Sequence, residues 1–509
     1  MAENKNQGTM LDQIQSAEGN PDVITFLADL NNQQKYTSPR EVNSMLDLLP
    51  SEVWSNKDLK FLDPVSKTGV FLREIAIRLI DGLQKEIPDL EERVDHILRN
   101  QIFGIATEEI TAKISRRSLY CSKNANSDKS IIKFDNEQGN LIFNEIKHQW
   151  RNNKCVHCSA SKSNLSSVKY AYEFIHKNPS EIFKNMKFDI IVGNPPYQLN
   201  VGNESKAFGV ALYHKFVNQA IKLNPRYLTM IIPSRWFTGG RGVDDFREKM
   251  LKDKRLRVIV DQVDGDYFFP SAEVKGGICY FLWDRDKEGL CKIKRYVKDE
   301  VISESERPLL EKGMDTFIRD CNAVSILKKV QNINQKTMDS IVSVQTPFGI
   351  ISSFEDFKNN KFQGSVKFYT NNQRIGYINP EHITKNREYV NKWKVFVPKA
   401  VGSGKTSSDV MKPILADDNS CSSQTYICIG PFENKQQAEN AISFIKTKFF
   451  HFMLGIKKIT QDAMRGTYML TPLEDFNESW SDEKLYSKYE LSPSQVKYIE
   501  SSVRDEVRL

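Results

Sequence analysis

The sequence predicts an α/β protein with a doubly wound sheet. Three observations lead there: short apolar strands alternate with amphipathic helices, a proline-fixed loop follows one buried strand, and large apolar residues are plentiful. Of the 509 residues, 39% are hydrophobic and 10% aromatic, which excludes wholesale disorder. At roughly 150 residues per domain, the length corresponds to about three domains' worth of chain. The formal net charge of +7 permits a polyanionic partner without demanding one. The longest apolar runs, such as Ile278–Trp283, are strand-sized and far short of the roughly 18 residues of a membrane span. The N-terminus is polar and lacks an apolar signal region. Eight cysteines are too sparse for a disulfide scaffold and fit a reducing cytoplasm.

The elements follow in order. Residues 1–35 form a polar extension with a loose helix. Ser38-Pro39-Arg40-Glu41, with Val42, Met45, Leu46 and Leu49 behind it, is a capped amphipathic helix with proline in its first turn. Leu59–Leu62 is a strand, Val70–Leu83 a helix, Gln101–Ala106 a second strand and Ile110–Leu119 a second helix. An insert rich in Ser, Asn and Lys, 121–187, interrupts the alternation. It resumes with the strand Phe188–Val192, a helix at about 210–223, the strand Tyr227–Ile232, the helix Val243–Asp253 and the strands Val258–Asp261 and Ile278–Trp283. Past Asp299 the text becomes polar and sprinkled with aromatics. A first domain over 36–300 and a second, α+β, domain over 320–509 are therefore expected, the second ending in a helix capped by Ser492-Pro493.

The sharpest chemical signal is Asn194-Pro195-Pro196-Tyr197, directly after a buried strand and Gly193. Two consecutive prolines cannot continue a strand or enter a helix interior, so they fix a rigid loop. Its position is the carboxyl end of a strand, where open α/β sheets bind ligands. Here the chain resembles the amino-group DNA methyltransferases that make N6-methyladenine, whose catalytic motif is (Asp/Asn/Ser)-Pro-Pro-(Tyr/Phe/Trp). The resemblance implies that Asn194 and Pro195 accept hydrogen bonds from the adenine amino group. It also implies that Pro196 stiffens the loop and that Tyr197 stacks on a flipped base.

Upstream, Asp63-Pro64-Val65-Ser66-Lys67-Thr68-Gly69-Val70-Phe71 resembles the family's S-adenosylmethionine motif, Asp-Pro-x-x-Gly-x-Gly-x-(Phe/Leu). Lys67 stands where a glycine is usual. Tyr36-Thr37-Ser38-Pro39 resembles the family's Phe/Tyr-Thr-Pro string, with one serine inserted. The resemblance makes Tyr36, Thr37, Asp63, Gly69, Phe71 and Asn194 cofactor contacts and asks for an acidic residue on the ribose. Glu108 is the choice for that role, with Glu109 the alternative; both also suit a plain helix N-terminus. Glu173 falls where the adenine-pocket motif belongs. The segment from Tyr213 to Trp236 resembles later family blocks, and the motif order is the gamma arrangement of large type II restriction–modification methylases.

Inside the insert, Cys155-Val156-His157-Cys158 is a Cys-x-x-Cys knuckle. With Cys121 and His148 it offers the donors of a structural zinc site, against the alternative of reduced free cysteines. Asp264 with Glu273-Val274-Lys275 mimics a nuclease carboxylate–lysine set, but it falls between two strands of the expected sheet. In the C-terminal third, Tyr369, Arg374, Tyr377, Trp393, Lys394, Lys399, Lys405, Lys446, Lys448, Lys457 and Lys458 interleave basic and aromatic character as phosphate and base contacts require. The expectation is a Rossmann-like, S-adenosylmethionine-dependent DNA adenine methyltransferase acting on double-stranded DNA. A C-terminal recognition domain, and a restriction endonuclease encoded separately, go with it. Rival readings are the same core acting on RNA or on protein glutamine, and an inactive DNA-binding derivative.

Overall fold

The computed structural model describes residues 37–162, 171–183, 186–199, 210–240, 242–269, 274, 276–311, 314, 317–371, 374–401, 411–458 and 462–505. The N-terminal extension and Tyr36, together with Glu273, Lys275 and Lys405, lie outside the described residues. The chain divides into two compact units, Met1–Glu311 and Lys312–Leu509. No helix among the described residues is long and apolar enough to cross a membrane.

The first unit is built on a nine-stranded sheet. Its strands are β1 (Phe61–Ser66), β2 (Ile102–Ala106), β3 (Leu141–Ile142), β4 (Ile190–Gly193), β5 (Tyr227–Pro233), β6 (Leu256–Gln262), β7 (Ile278–Asp284), β8 (Cys291–Val297) and β9 (Glu300–Arg307). They lie in the order β3-β2-β1-β4-β5-β7-β6-β8-β9. From β3 to β5 every pairing is parallel, whereas β7 runs antiparallel to both its neighbours. β1, β2 and β4 are buried at every position, as parallel strands covered on both faces must be. The helices α1 (Pro39–Leu46), α2 (Val70–Gly82), α3 (Glu109–Tyr120), α4 (Tyr213–Lys222) and α5 (Asp244–Lys252) carry the apolar stripes that the spacing requires. Val42, Met45, Leu72, Ile75 and Leu79 of α1 and α2 join Phe61, Ile190 and Val192 in one core. From β1, successive strands proceed toward β3 on one side and toward β5 on the other. The switch point therefore lies between β1 and β4, where the crevice of such a sheet opens.

Three strands differ from the sequence reading. β3 lies within the insert and pairs with β2, Leu141 opposite Gly104. Two residues are too few to show a period. β8 and β9 extend the sheet past residue 300, pairing from Cys291↔Arg307 to Val297↔Glu300. Their charged, one-sided alternation reads as a polar stretch unless the partner strand is known.

The second unit contains α6 (Cys321–Ile333) and two three-stranded sheets made from β10 (Val366–Tyr369), β11 (Ile375–Ile378), β12 (Trp393–Pro398), β13 (Ile414–Ala416), β14 (Ser420–Ser422) and β15 (Tyr426–Phe432). It continues with α7 (Lys435–Ile445), α8 (Lys448–Lys457), α9 (Asp482–Lys488) and α10 (Pro493–Ser502). Residues of α6, α7, α8 and β15 pack into a single core around Phe444, Phe449 and Tyr489.

Candidate active site

The turn that follows β1 is held from behind by α3. Gly69 sits at φ +80°, and a Cβ there would come 2.8 Å from Ser115 Oγ and 3.0 Å from Ser115 Cα. Only glycine meets both demands. Ser118 Oγ donates to the Thr68 carbonyl at 2.7 Å, and the Ser66 and Ser115 hydroxyls lie 2.6 Å apart. The turn leads directly into the N-terminus of α2, the end of a helix that favours negative charge.

On the neighbouring strand, a Cβ on Gly193 would come 3.1 Å from Asp63 Oδ1, so glycine lets the two strand ends approach. Asn194 is buried, and its Nδ2 donates to Thr37 Oγ1 at 2.9 Å. That bond orients the carboxamide and turns Oδ1 to the other side. Pro195 is buried and Tyr197 half-buried, with its ring edge-on to Phe269 at 6.1 Å. The Tyr197 carbonyl accepts from the amide of Leu212 at 3.0 Å, just ahead of α4. Burial pushes the Tyr197 hydroxyl well above its ordinary range.

Asp63 faces the same crevice. Its Oδ1 accepts from the Val65 amide at 2.9 Å. Burial raises its carboxyl to about 7, while the Val65 hydrogen bond and the charge of Lys67 pull it down. Lys67 itself is buried, 8% exposed. One cleft brings together Thr37, Asp63, Lys67, Gly69, Phe71 and Asn194. The donor set suits a zwitterionic, cationic cofactor of the S-adenosylmethionine kind: a buried carboxylate, turn amides, threonine hydroxyls and an aromatic ring.

The remaining expected residues have other engagements. Glu108 caps α3, its side chain accepting from the Thr111 amide while Thr111 Oγ1 accepts from the Glu108 amide at 3.1 Å. Glu109 is exposed and paired with Lys113 at 2.6 Å. Glu173 is buried, accepts both hydrogen bonds of the Asn144 amide (3.1 and 3.0 Å) and pairs with Lys177 at 2.9 Å. The insert cluster needs correction at one position: His148, Cys155 and Cys158 come together with His176, not with Cys121. Cys121 is exposed at the left-handed residue that ends α3, while the chain leads the knuckle to the Glu173–His176 helix. Nothing in the sequence marks His176 beyond its being a histidine near a Cys-x-x-Cys.

Two lysines expected to contact phosphates are structural instead. Lys394 is fully buried in β12, and Lys448 is buried at the start of α8 and paired with Glu500 at 2.9 Å and Asp505 at 2.6 Å.

Residues 100–269 match the model of the Eco57I restriction-modification methylase. An uncharacterized adenine-specific methylase of Mycoplasma pneumoniae is 37% identical over 338 residues, spanning 59% of this chain and 80% of that protein. The chain belongs to the adenine-specific methylases. Among solved structures, a nuclease-deletion mutant of the Type ISP restriction-modification enzyme LlaGI in complex with a DNA substrate mimic has the same fold. The TM-score is 0.50 at 10% identity, covering 88% of this chain and 47% of that one. The Type IIL restriction-modification enzyme MmeI gives a TM-score of 0.49 at 12% identity, covering 98% of this chain and 73% of that one. In this adenine-specific methylase the Eco57I-type segment runs from the entry to β2 to the loop before β7 and contains the Asn194 loop. Thr37, Asp63 and Gly69 lie ahead of it and reach the same cleft through the sheet order.

Proposed function

We propose that this adenine-specific methylase modifies N6 of an adenine flipped out of duplex DNA, using S-adenosylmethionine, at sites selected by its C-terminal unit. The observation that carries the reading is the Asn194 carboxamide, buried at the carboxyl end of β4, oriented by Thr37 and facing the cleft that Asp63 lines. S-adenosylmethionine, when bound, supplies an electrophilic methyl group. Asp63 and the turn amides before α2 would hold its methionine and ribose parts, with Phe71 against the same cleft. The exocyclic nitrogen of adenine is a weak nucleophile because its lone pair is delocalised into the ring. Asn194 Oδ1 and the Pro195 carbonyl, acceptors held rigid by two prolines, would draw that amino group out of conjugation and into line. Tyr197 offers the flipped base an aromatic face. Glu108, at the end of β2, is assigned the ribose hydroxyls alongside its capping role.

DNA is favoured over RNA and protein because the matched family is that of restriction–modification methylases, and modification in such systems protects DNA from a nuclease. A separately encoded restriction endonuclease is the corresponding partner. The test is transfer of a labelled methyl group to duplex DNA, RNA and protein offered in parallel, followed by long-read sequencing for methylated adenines in cells expressing the protein. Label confined to RNA or protein would overturn the reading.

A further inference from the structure

We propose that His148, Cys155, Cys158 and His176 form a tetrahedral two-cysteine, two-histidine site for one zinc(II) ion, which ties the Cys-x-x-Cys knuckle to the Glu173–His176 helix of the same insert. This does not rest on the assignment of methyl transfer. The four donor atoms all lie within 4.8 Å of one another. Cys155 Sγ is 3.4 Å from His176 Nε2, and Cys158 Sγ is 3.4 Å from His148 Nδ1. With metal–sulfur bonds of about 2.3 Å and metal–nitrogen bonds of about 2.05 Å, the sulfur–nitrogen edge of a tetrahedron is about 3.6 Å. The two observed edges are thus nearly those of a closed coordination sphere.

The backbone prepares this arrangement. Trp150–Arg151 and Lys154–Cys155 form a hairpin whose turn residues, Asn152 and Asn153, both take left-handed conformations (φ 49° and 60°), as a two-residue hairpin turn demands. The Cys-x-x-Cys loop closes on itself, the Ser159 amide donating to the Cys155 carbonyl at 3.0 Å and the Cys155 amide to the Ala160 carbonyl at 2.8 Å. His176 Nδ1–H donates to the Tyr172 carbonyl at 2.7 Å, which presents Nε2 to the cluster, as supporting hydrogen bonds do for metal-bound histidines. Binding releases one proton from each thiol to solvent. The two thiolates then balance the ion's charge, and the imidazoles coordinate neutral.

The site joins two pieces of the insert, and α4 holds one of them. His176 ends the short helix that begins at Glu173. Lys215, in the first turn of α4, donates to the His157 carbonyl at 2.5 Å and to Ser159 Oγ at 3.1 Å, hooking the knuckle onto α4. Just ahead of α4, Leu212 holds the Tyr197 carbonyl of the catalytic loop.

The test is elemental analysis of the full-length protein, with cobalt(II) reconstitution as the structural readout. One zinc per chain is expected, as is a cobalt form with the strong visible absorption of a tetrahedral ion and thiolate-to-metal charge transfer. Cys158→Ser and His176→Gln should lose the metal, whereas Cys121→Ser should keep a full equivalent. Should the first two variants aggregate, the wild-type cobalt spectrum decides. A weak octahedral spectrum, or no bound cobalt, overturns the proposal, as does loss of metal in Cys121→Ser.

Discussion

Both units of the chain bury lysines, and Lys67 and Lys394 are buried for different reasons. Lys67, in the first unit, lies in the turn before α2, where its charge acts on the Asp63 carboxyl within a ligand cleft. Lys394, in the second unit, donates to the carbonyls of Val390 (3.0 Å), Lys392 (2.8 Å) and Asp417 (3.0 Å). Burial pushes its ammonium down to about 8. Lys67 tunes a carboxylate that a ligand can use; Lys394 ties three carbonyls together, two of which, Val390 and Asp417, also accept from Ser420. A buried lysine is therefore read from its partner, not from its presence. Residues of the cleft should alter chemistry and leave the fold, and braces of the second unit should do the reverse.

The largest effect expected is at the cleft. Asn194→Ala should lower methyl transfer by roughly 10²–10³-fold or more, since it removes an oriented acceptor. Duplex binding, measured by fluorescence anisotropy on the same preparation, should change by less than about threefold. An active variant would remove Asn194 from the chemistry.

Next comes the brace. Lys394→Met removes one donor from each of three carbonyls, two of which keep a bond from Ser420, and should cost about 1–3 kcal/mol of stability, visible as a lower denaturation midpoint. The dependence of DNA affinity on salt should stay as in the wild type. A shallower slope would make Lys394 a phosphate contact after all.

A third prediction uses pH. The folded carboxyl of Asp63 lies near 7, above its ordinary value of 3.8, because burial penalises the charge. The stability linked to it is present in full below its ordinary value and is lost as pH rises through about 7. Asp63→Asn should therefore raise stability by on the order of 2 kcal/mol at pH 8 and leave it nearly unchanged at pH 4. At the same time it should weaken cofactor binding. Equal thermal shifts at both pH values would show that Asp63 is not the titrating group.

The smallest effect is expected at Lys67, whose charge only moderates Asp63. Lys67→Ala should move the pH midpoint of cofactor binding upward by less than about one unit, read by calorimetry across the range. A downward shift would contradict the electrostatic role given to it.

The sequence by itself determined the local pieces: the strand ends, the rigid Asn194-Pro195-Pro196-Tyr197 loop and the turn from Asp63 to Gly69. Proline removes backbone freedom and glycine admits a left-handed turn, and both act within a few residues of themselves. Only the tertiary structure decided which distant side chains meet. Thr37 reaches Asn194 across 157 positions, His176 takes the place expected for Cys121, and Lys394 turns inward rather than toward phosphate. β3 emerges from a polar insert for the same reason. These outcomes depend on strand order and helix placement, which arise from packing over the whole unit and leave no periodic trace in the residues concerned.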